Sequence, residues 1–202
     1  MTSFRKLYKN DNMDVIAEGI YSNNKKVFDA LFDDKNKATD AIIKLINSEY
    51  VNEYHGFFIT VVYDEDPRKI EGFVISYKQD QIPHNSTFMA LKDTEDFSIP
   101  LMLANRLFNR FKFNLMKDNY IINELYVLEE YRNKGHGTRL IKKSIQKARQ
   151  YNADNVVLDV EYGNDYLLNF FNKLGFKKQN KIFKRFMGNV PGYYRLEYKL
   201  ER

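Results

Sequence analysis

Apolar positions along the chain recur with two periods, and the change from one to the other marks the elements. From Tyr120 to Val127 the residues are mostly β-branched or aromatic, the habit of a strand. After a polar stretch ending in Arg132-Asn133-Lys134-Gly135-His136-Gly137, the residues Leu140, Ile141, Ser144, Ile145 and Ala148 fall on one helical face. Asn155 to Glu161 reads as a strand again, apolar enough to be expected in mid-sheet with both faces covered. Gly163 breaks it, Asn164 and Asp165 offer a helix cap, and Gly175 offers the stop. Two strands, Phe176 to Phe186 and Tyr193 to Leu200, are expected to end the chain, joined by Met187 to Gly192.

Upstream the pattern is more broken. Phe4 to Tyr8 alternates and predicts a first strand. Met13 to Phe32 predicts helix, interrupted near Ser22-Asn23-Asn24. A polar break at Asp33 to Asn36 precedes another helix reaching about Ser48, with Ala38, Ala41, Ile42, Leu45 and Ile46 on one face. Gly56 to Tyr63 and Ile70 to Tyr77 predict a hairpin whose turn, Asp64-Glu65-Asp66-Pro67-Arg68, reads as a solvated tip. Lys78 to Asp96 lacks a period and holds Pro83, so a loop is expected. Phe97 to Met116 predicts a helix with Pro100 in its first turn. No repeat or linker divides the chain, so 1–202 is read as one domain. Residues 1–50 form a helical cover, 51–119 a hairpin, loop and helix, and 120–202 a strand–helix–strand half.

Composition narrows the chemistry. The hydrophobic share of 44% and the aromatic share of 15% suffice for a core in 202 residues. No run approaches a membrane span, and Met1 to Lys9 lacks the apolar core of a secretory signal, so a cytoplasmic protein is expected. The absence of cysteine removes disulfides, thiolate metal sites and a cysteine nucleophile. The three histidines, His55, His84 and His136, are far apart in sequence, and no metal site is expected. The net charge of +5 suits an anionic ligand.

The strand that passes through Gly135 and Gly137 into a helix supplies such a ligand with a seat. Bare backbone N–H groups and the positive end of the helix dipole converge there, which favours phosphate. Leu140 stands where a dinucleotide fingerprint has its third glycine, and no Gly-Lys-Ser/Thr ending makes a Walker loop. The pattern Arg132-x-x-Gly135-x-Gly137, after Leu125-Tyr126-Val127, resembles the acyl-CoA pyrophosphate loop of the GNAT superfamily of N-acetyltransferases. The helix opened by Asn164 and closed by Leu174-Gly175-Phe176 follows at the spacing of that family. The resemblance covers residues 120–200 well and 50–80 loosely.

This resemblance implies an α/β fold: a mixed, twisted, mostly antiparallel sheet of about six or seven strands, with a central parallel pair splayed into a V and helices on both faces. It implies acetyl-CoA as co-substrate and a primary amine as acceptor. Leu125, Tyr126 and Val127 would present backbone groups to the pantetheine arm, an amide near Val127 facing the thioester carbonyl. Arg132, Asn133, Lys134, Gly135, His136, Gly137 and Thr138 would hold the pyrophosphate. Asn164 would lie near the pantetheine, or serve only as a helix cap. Phe171 stands where many members carry a tyrosine that protonates the leaving thiolate, and phenylalanine has no proton to give.

Without cysteine, the amine must attack acetyl-CoA directly, aided by proximity, an oxyanion donor and a base. Glu124 is the candidate base, because a carboxylate in an apolar strand is costly without a task or a partner. A structural carboxylate is the competing reading. Asp159 and Glu161 are weaker candidates. Two other functions stay open. One is a catalytically silent CoA-binding interaction protein, suggested by Phe171. The other is a nucleic-acid module, suggested by the basic residues Arg139, Lys142, Lys143, Lys147 and Arg149, with Lys177, Lys178, Lys181, Lys184 and Arg185. A charged outer helix face is more often simply solvated. No membrane partner is expected, and a homodimer is left open.

Overall fold

The structure is a computed structural model that describes residues 2–94, 97, 99–105, 118–183 and 192–201. Seven strands form one sheet: β1 (Ser3–Lys6), β2 (Ile59–Tyr63), β3 (Gly72–Lys78), β4 (Asn119–Val127), β5 (Asn155–Glu161), β6 (Lys177–Phe183) and β7 (Gly192–Lys199), in the order β1-β2-β3-β4-β5-β7-β6. All neighbours are antiparallel except β4 and β5, which run parallel. The helices whose two ends lie in the described residues are α1 (Met13–Asn23), α2 (Lys25–Leu31), α3 (Lys35–Ile46), α4 (Ser86–Lys92), α5 (His136–Gln150) and α6 (Asp165–Lys173).

The sheet separates two apolar cores. Ile16, Ile20, Phe28, Leu31, Ile42 and Leu45, from α1 to α3, pack with Ile59, Phe73, Ile75 and Ile121. Leu140, Ile141, Ile145 and Ala148 of α5 pack with Val74, Tyr120, Val156 and Leu158 on the other side, together with Phe171 of α6. Residues of β5 enter both cores: Val157 joins the first, Val156 and Leu158 the second. A strand covered on both faces has no polar side to show, which is why its sequence is a nearly continuous apolar run.

Local chemistry explains most boundaries. Asn24 ends α1, its N–H bonding the Ile20 and Tyr21 carbonyls, and the next helix starts at once from the same residue. Asp34 caps α3 by accepting from the N–H of Asn36 and Lys37. Asn164 caps α6 by accepting from Leu167 N–H.

Two expectations are corrected. Gly56–Phe58 forms a 3₁₀ turn rather than strand, because His55 accepts from Phe57 N–H and turns the chain; β2 begins only at Ile59. The expected loop from Lys78 to Asp96 contains a 3₁₀ turn at Gln79–Gln81 and the helix α4. The buried face of α4 is Ser86, Thr87, Ala90 and Leu91, half of it polar, so an apolar count cannot see its period. Thr87 buries its hydroxyl by donating to Glu53 Oε2 at 2.8 Å. Of the helix expected from Phe97 to Met116, residues 101–105 are helical and 106–116 lie outside the described residues, as do Lys184 and Arg185 and most of the link before Gly192.

Candidate active site

The glycine stretch opens α5 as the sequence implied. Gly135 is its N-cap with φ 84°, and no side chain caps the helix. The first N–H groups of α5 are therefore available to a ligand. Asn133 also has a positive φ, 61°. Gly135 and Gly137 have different tasks. A Cβ on Gly135 would meet nothing within 4 Å, so only its backbone angle calls for glycine. Gly137 is helical without positive φ, and a Cβ there would point at Phe170, Leu125 and Val127 at 3.6, 4.0 and 4.0 Å. Its small size keeps the space between α5, α6 and β4 open. Arg132, Asn133 and Lys134 are exposed, and Thr138 is half-buried. Arg132 donates from Nε to the Val127 carbonyl at 3.1 Å, and Lys134 stacks on the Tyr131 ring at 4.7 Å.

Beside this helix end the parallel pair parts. β4 and β5 pair only through Asn119↔Asn155, Tyr120↔Val156 and Ile121↔Val157. Both strands continue, to Val127 and Glu161, without further pairing to each other. The β5 side of Leu125, Tyr126 and Val127 thus lacks a strand partner, which is the V that the resemblance implied. An unpaired strand edge is a template for another extended chain.

Glu124 sits where the strand's parity would not put it. Alternation along β4 would align it with Tyr120 and Ile122, which pack beneath α5. The ladder to β3 slips here: Ser76 pairs with Ile122 and Ile75 with Glu124, leaving Asn123 as an extra residue. This bulge turns Glu124 to the opposite face, under the junction of α1 and α2. There its carboxylate accepts from Asn23 Nδ2 at 2.9 Å and from Asn24 Nδ2 at 2.6 Å, and the residue is 6% exposed.

Two buried tyrosines that sequence reading missed lie close enough to Glu124 to feel its charge, and a buried carboxylate acts on the same pair. Tyr54 and Tyr77 are buried, and burial pushes both phenols well above the usual range, assisted by the negative charges of Glu124 and Glu53. Glu53 is itself buried, and its carbonyl accepts from Asn123 Nδ2 at 3.4 Å. Nothing local in the sequence marks these residues, because they meet only when distant segments are brought together.

The remaining candidates separate. Asp159 is held by Arg195 at 3.0 and 3.2 Å, a structural pair rather than a free base. Glu161 is exposed and pairs with Lys26 of α2 at 3.0 Å, across the end of the parted strands. Phe171 is buried against Phe170 and Phe176, a core ring with no polar role. The basic residues of α5 do not form a single free stripe. Arg139 bonds the Thr2 hydroxyl, Lys147 donates to Thr60 Oγ1 at 2.6 Å, and Lys143 reaches Gln146 at 3.3 Å. The hairpin tip is only partly solvated: Asp66 caps Arg68 N–H, but Asp64 turns inward to Thr2 and His136.

An anion-seeking helix end at the mouth of a parted parallel pair is the architecture expected of an acyl-CoA-dependent transferase. The profile of the acetyltransferase (GNAT) family matches residues 24–176, and the chain belongs to that family. An N-alpha-acetyltransferase of Sulfurisphaera tokodaii is 38% identical over 81 residues, covering 40% of this chain and 47% of the relative. The chain thus matches about half of that relative's length. Among solved structures, an N-acetyltransferase from Staphylococcus aureus Mu50 superposes with a TM-score of 0.72 at 20% identity, covering 97% of this chain and 100% of the other. A chain of the NatC complex bound to Gag peptide and CoA superposes with a TM-score of 0.56 at 16% identity, covering 99% of each. At these identities the structural matches show the fold. Among the described residues, no helix is long and apolar enough to cross a membrane.

Proposed function

We propose that the protein transfers the acetyl group of acetyl-CoA directly to a primary amine, and that the amine is the N-terminus of a peptide. The observation that carries the first part is the end of β4–β5 pairing at Ile121 and Val157, beside an uncapped α5. The freed edge from Leu125 to Val127 fits an extended pantetheine arm, and the N–H groups from His136 to Thr138 fit its pyrophosphate. The names of the relatives, N-alpha-acetyltransferases, support the second part.

Glu124 takes the role of base. The bulge at Asn123 aims it at the face covered by α1 and α2, and the two asparagines hold it in one orientation. A water relays the proton from the ammonium to a carboxylate this deeply buried. Because Phe171 is a core ring, the thiolate leaves without help from that position.

An acetyl-CoA turnover screen tests the reading, with peptides of varied first residue, lysine side chains, polyamines and amino sugars as acceptors. Turnover on α-amines above all others is the expected result. Turnover confined to another amine class would overturn the acceptor assignment. CoA binding without turnover on any amine would favour the silent CoA-binding protein that Phe171 suggests.

A further inference from the structure

His136, the first residue of α5, is 1% exposed, and neither of its ring nitrogens makes a hydrogen bond. Glu71, just before β3, is also buried, and its Oε2 makes none either. These two orphan atoms, His136 Nε2 and Glu71 Oε2, face each other at 2.9 Å. Asp64 Oδ2 lies 3.7 Å from the same nitrogen. Among the described residues, this is the one group of acids and histidines whose ligand atoms all lie within 4.8 Å of one another.

A close N···O approach without hydrogen-bond geometry is characteristic of two ligands of a single ion. With bonds of about 2.0–2.2 Å, ligand atoms set about 90–110° apart are separated by roughly 2.8–3.6 Å. The His136–Glu71 distance falls at the near end of that range. The Asp64 oxygen, on a partly exposed turn, stands slightly wide of it. Thr2 donates to the other oxygen, Asp64 Oδ1, at 2.7 Å. That bond leaves Oδ2 to face the histidine, as an outer partner orients a metal-binding carboxylate.

We propose that Asp64, Glu71 and His136 bind a divalent transition-metal ion, Zn²⁺ being the best match. One imidazole and two carboxylates suit Zn²⁺, whereas Mg²⁺ and Ca²⁺ favour sites built of oxygen alone. Two carboxylates also neutralise a dication, which makes its burial tolerable. A water on the exposed side of Asp64 completes four ligands. The ion would tie the β2–β3 turn to the residue between Gly135 and Gly137, bracing the anion-binding loop from behind. Its role is structural, and it stands independently of the acetyl-transfer reading.

The test uses the full chain, treated with EDTA and then freed of it, and titrated with zinc sulfate by calorimetry. One Zn²⁺ per chain is expected, with a rise in the thermal midpoint as the ion binds the folded state. Glu71→Gln should weaken the affinity by at least about tenfold, whereas Asp66→Asn, on the same turn, should leave it unchanged. No Zn²⁺ binding by the wild type, or equal affinity in Glu71→Gln, would overturn the site. Should Glu71→Gln not fold, the ¹⁵N resonances of the wild-type His136 ring decide. A shift of Nε2 at one equivalent of Zn²⁺ supports the site, and an unmoved ring overturns it.

Discussion

The two faces of β4 recognise by different means. Toward β5 and α5 the protein offers backbone: a strand edge without a strand partner and an uncapped helix end, with Gly135 and Gly137 keeping the approach free. Toward α1 and α2 it offers side chains, with Glu124 held by Asn23 and Asn24 over the buried phenols of Tyr54 and Tyr77. Backbone recognition suits a ligand that is always the same. Recognition by side chains, gathered from separate segments, suits a ligand that differs from one relative to the next. On the proposed function, the first face takes acetyl-CoA and the second takes the amine.

The sharpest way to break this division is Glu124→Gln. Turnover should fall by about 10²–10⁴-fold with CoA affinity retained. The fold should survive, because Asn23 or Asn24 can rotate its amide to offer an oxygen to the new N–H₂. The loss should shrink as pH rises, since more of the acceptor amine is then already neutral. Steady-state kinetics from pH 6 to 10, roughly the range over which amines titrate, reads this out. Wild-type rates at every pH would remove Glu124 from the mechanism.

The two glycines sharpen the backbone side. Gly135→Ala forces a side chain into the left-handed region, so a stability loss of about 1–2 kcal/mol is expected in denaturant melts. Gly137→Val should leave the backbone angle unstrained and fill the space before Phe170 and Val127. Calorimetry should then show weaker CoA binding with a smaller stability change. If Gly137→Val bound CoA as the wild type does, the pyrophosphate would not lie over α5.

The smallest change in turnover is expected from Phe171→Tyr. A hydroxyl placed among Phe170 and Phe176 lacks a partner there, so stability should fall by about 1–3 kcal/mol. Turnover per folded molecule should stay as it was. A rise in turnover would show that thiolate departure limits the rate and that the ring reaches the sulfur.

Much of the backbone side was legible in the sequence, because its chemistry is local. A strand, a glycine with positive φ and a helix without a capping side chain are consecutive residues from Tyr120 to Gly137. The caps at Asn164 and Gly175 follow from residue type at a helix end. The buried strand β5 announced itself by its nearly continuous apolar run. Phe171 was visible as a departure from the family pattern, and the structure adds that it belongs to the core.

The other face was not legible, for three physical reasons. The bulge at Asn123 reverses the parity of β4, and parity is what a sequence reader uses to assign faces. The helix α4 buries serine and threonine, so its period is hidden, although it meets Glu53 through Thr87. Asn23, Asn24, Tyr54 and Tyr77 converge on Glu124, and Asp64 and Glu71 on His136, only when the strands pair and the helices close over them. Sequence alone determined most of the elements and the helix end at Gly135 that no side chain caps, since those depend on neighbours along the chain. The tertiary structure decided where Glu124 points and what surrounds it, since that depends on register and on residues brought together from distant segments.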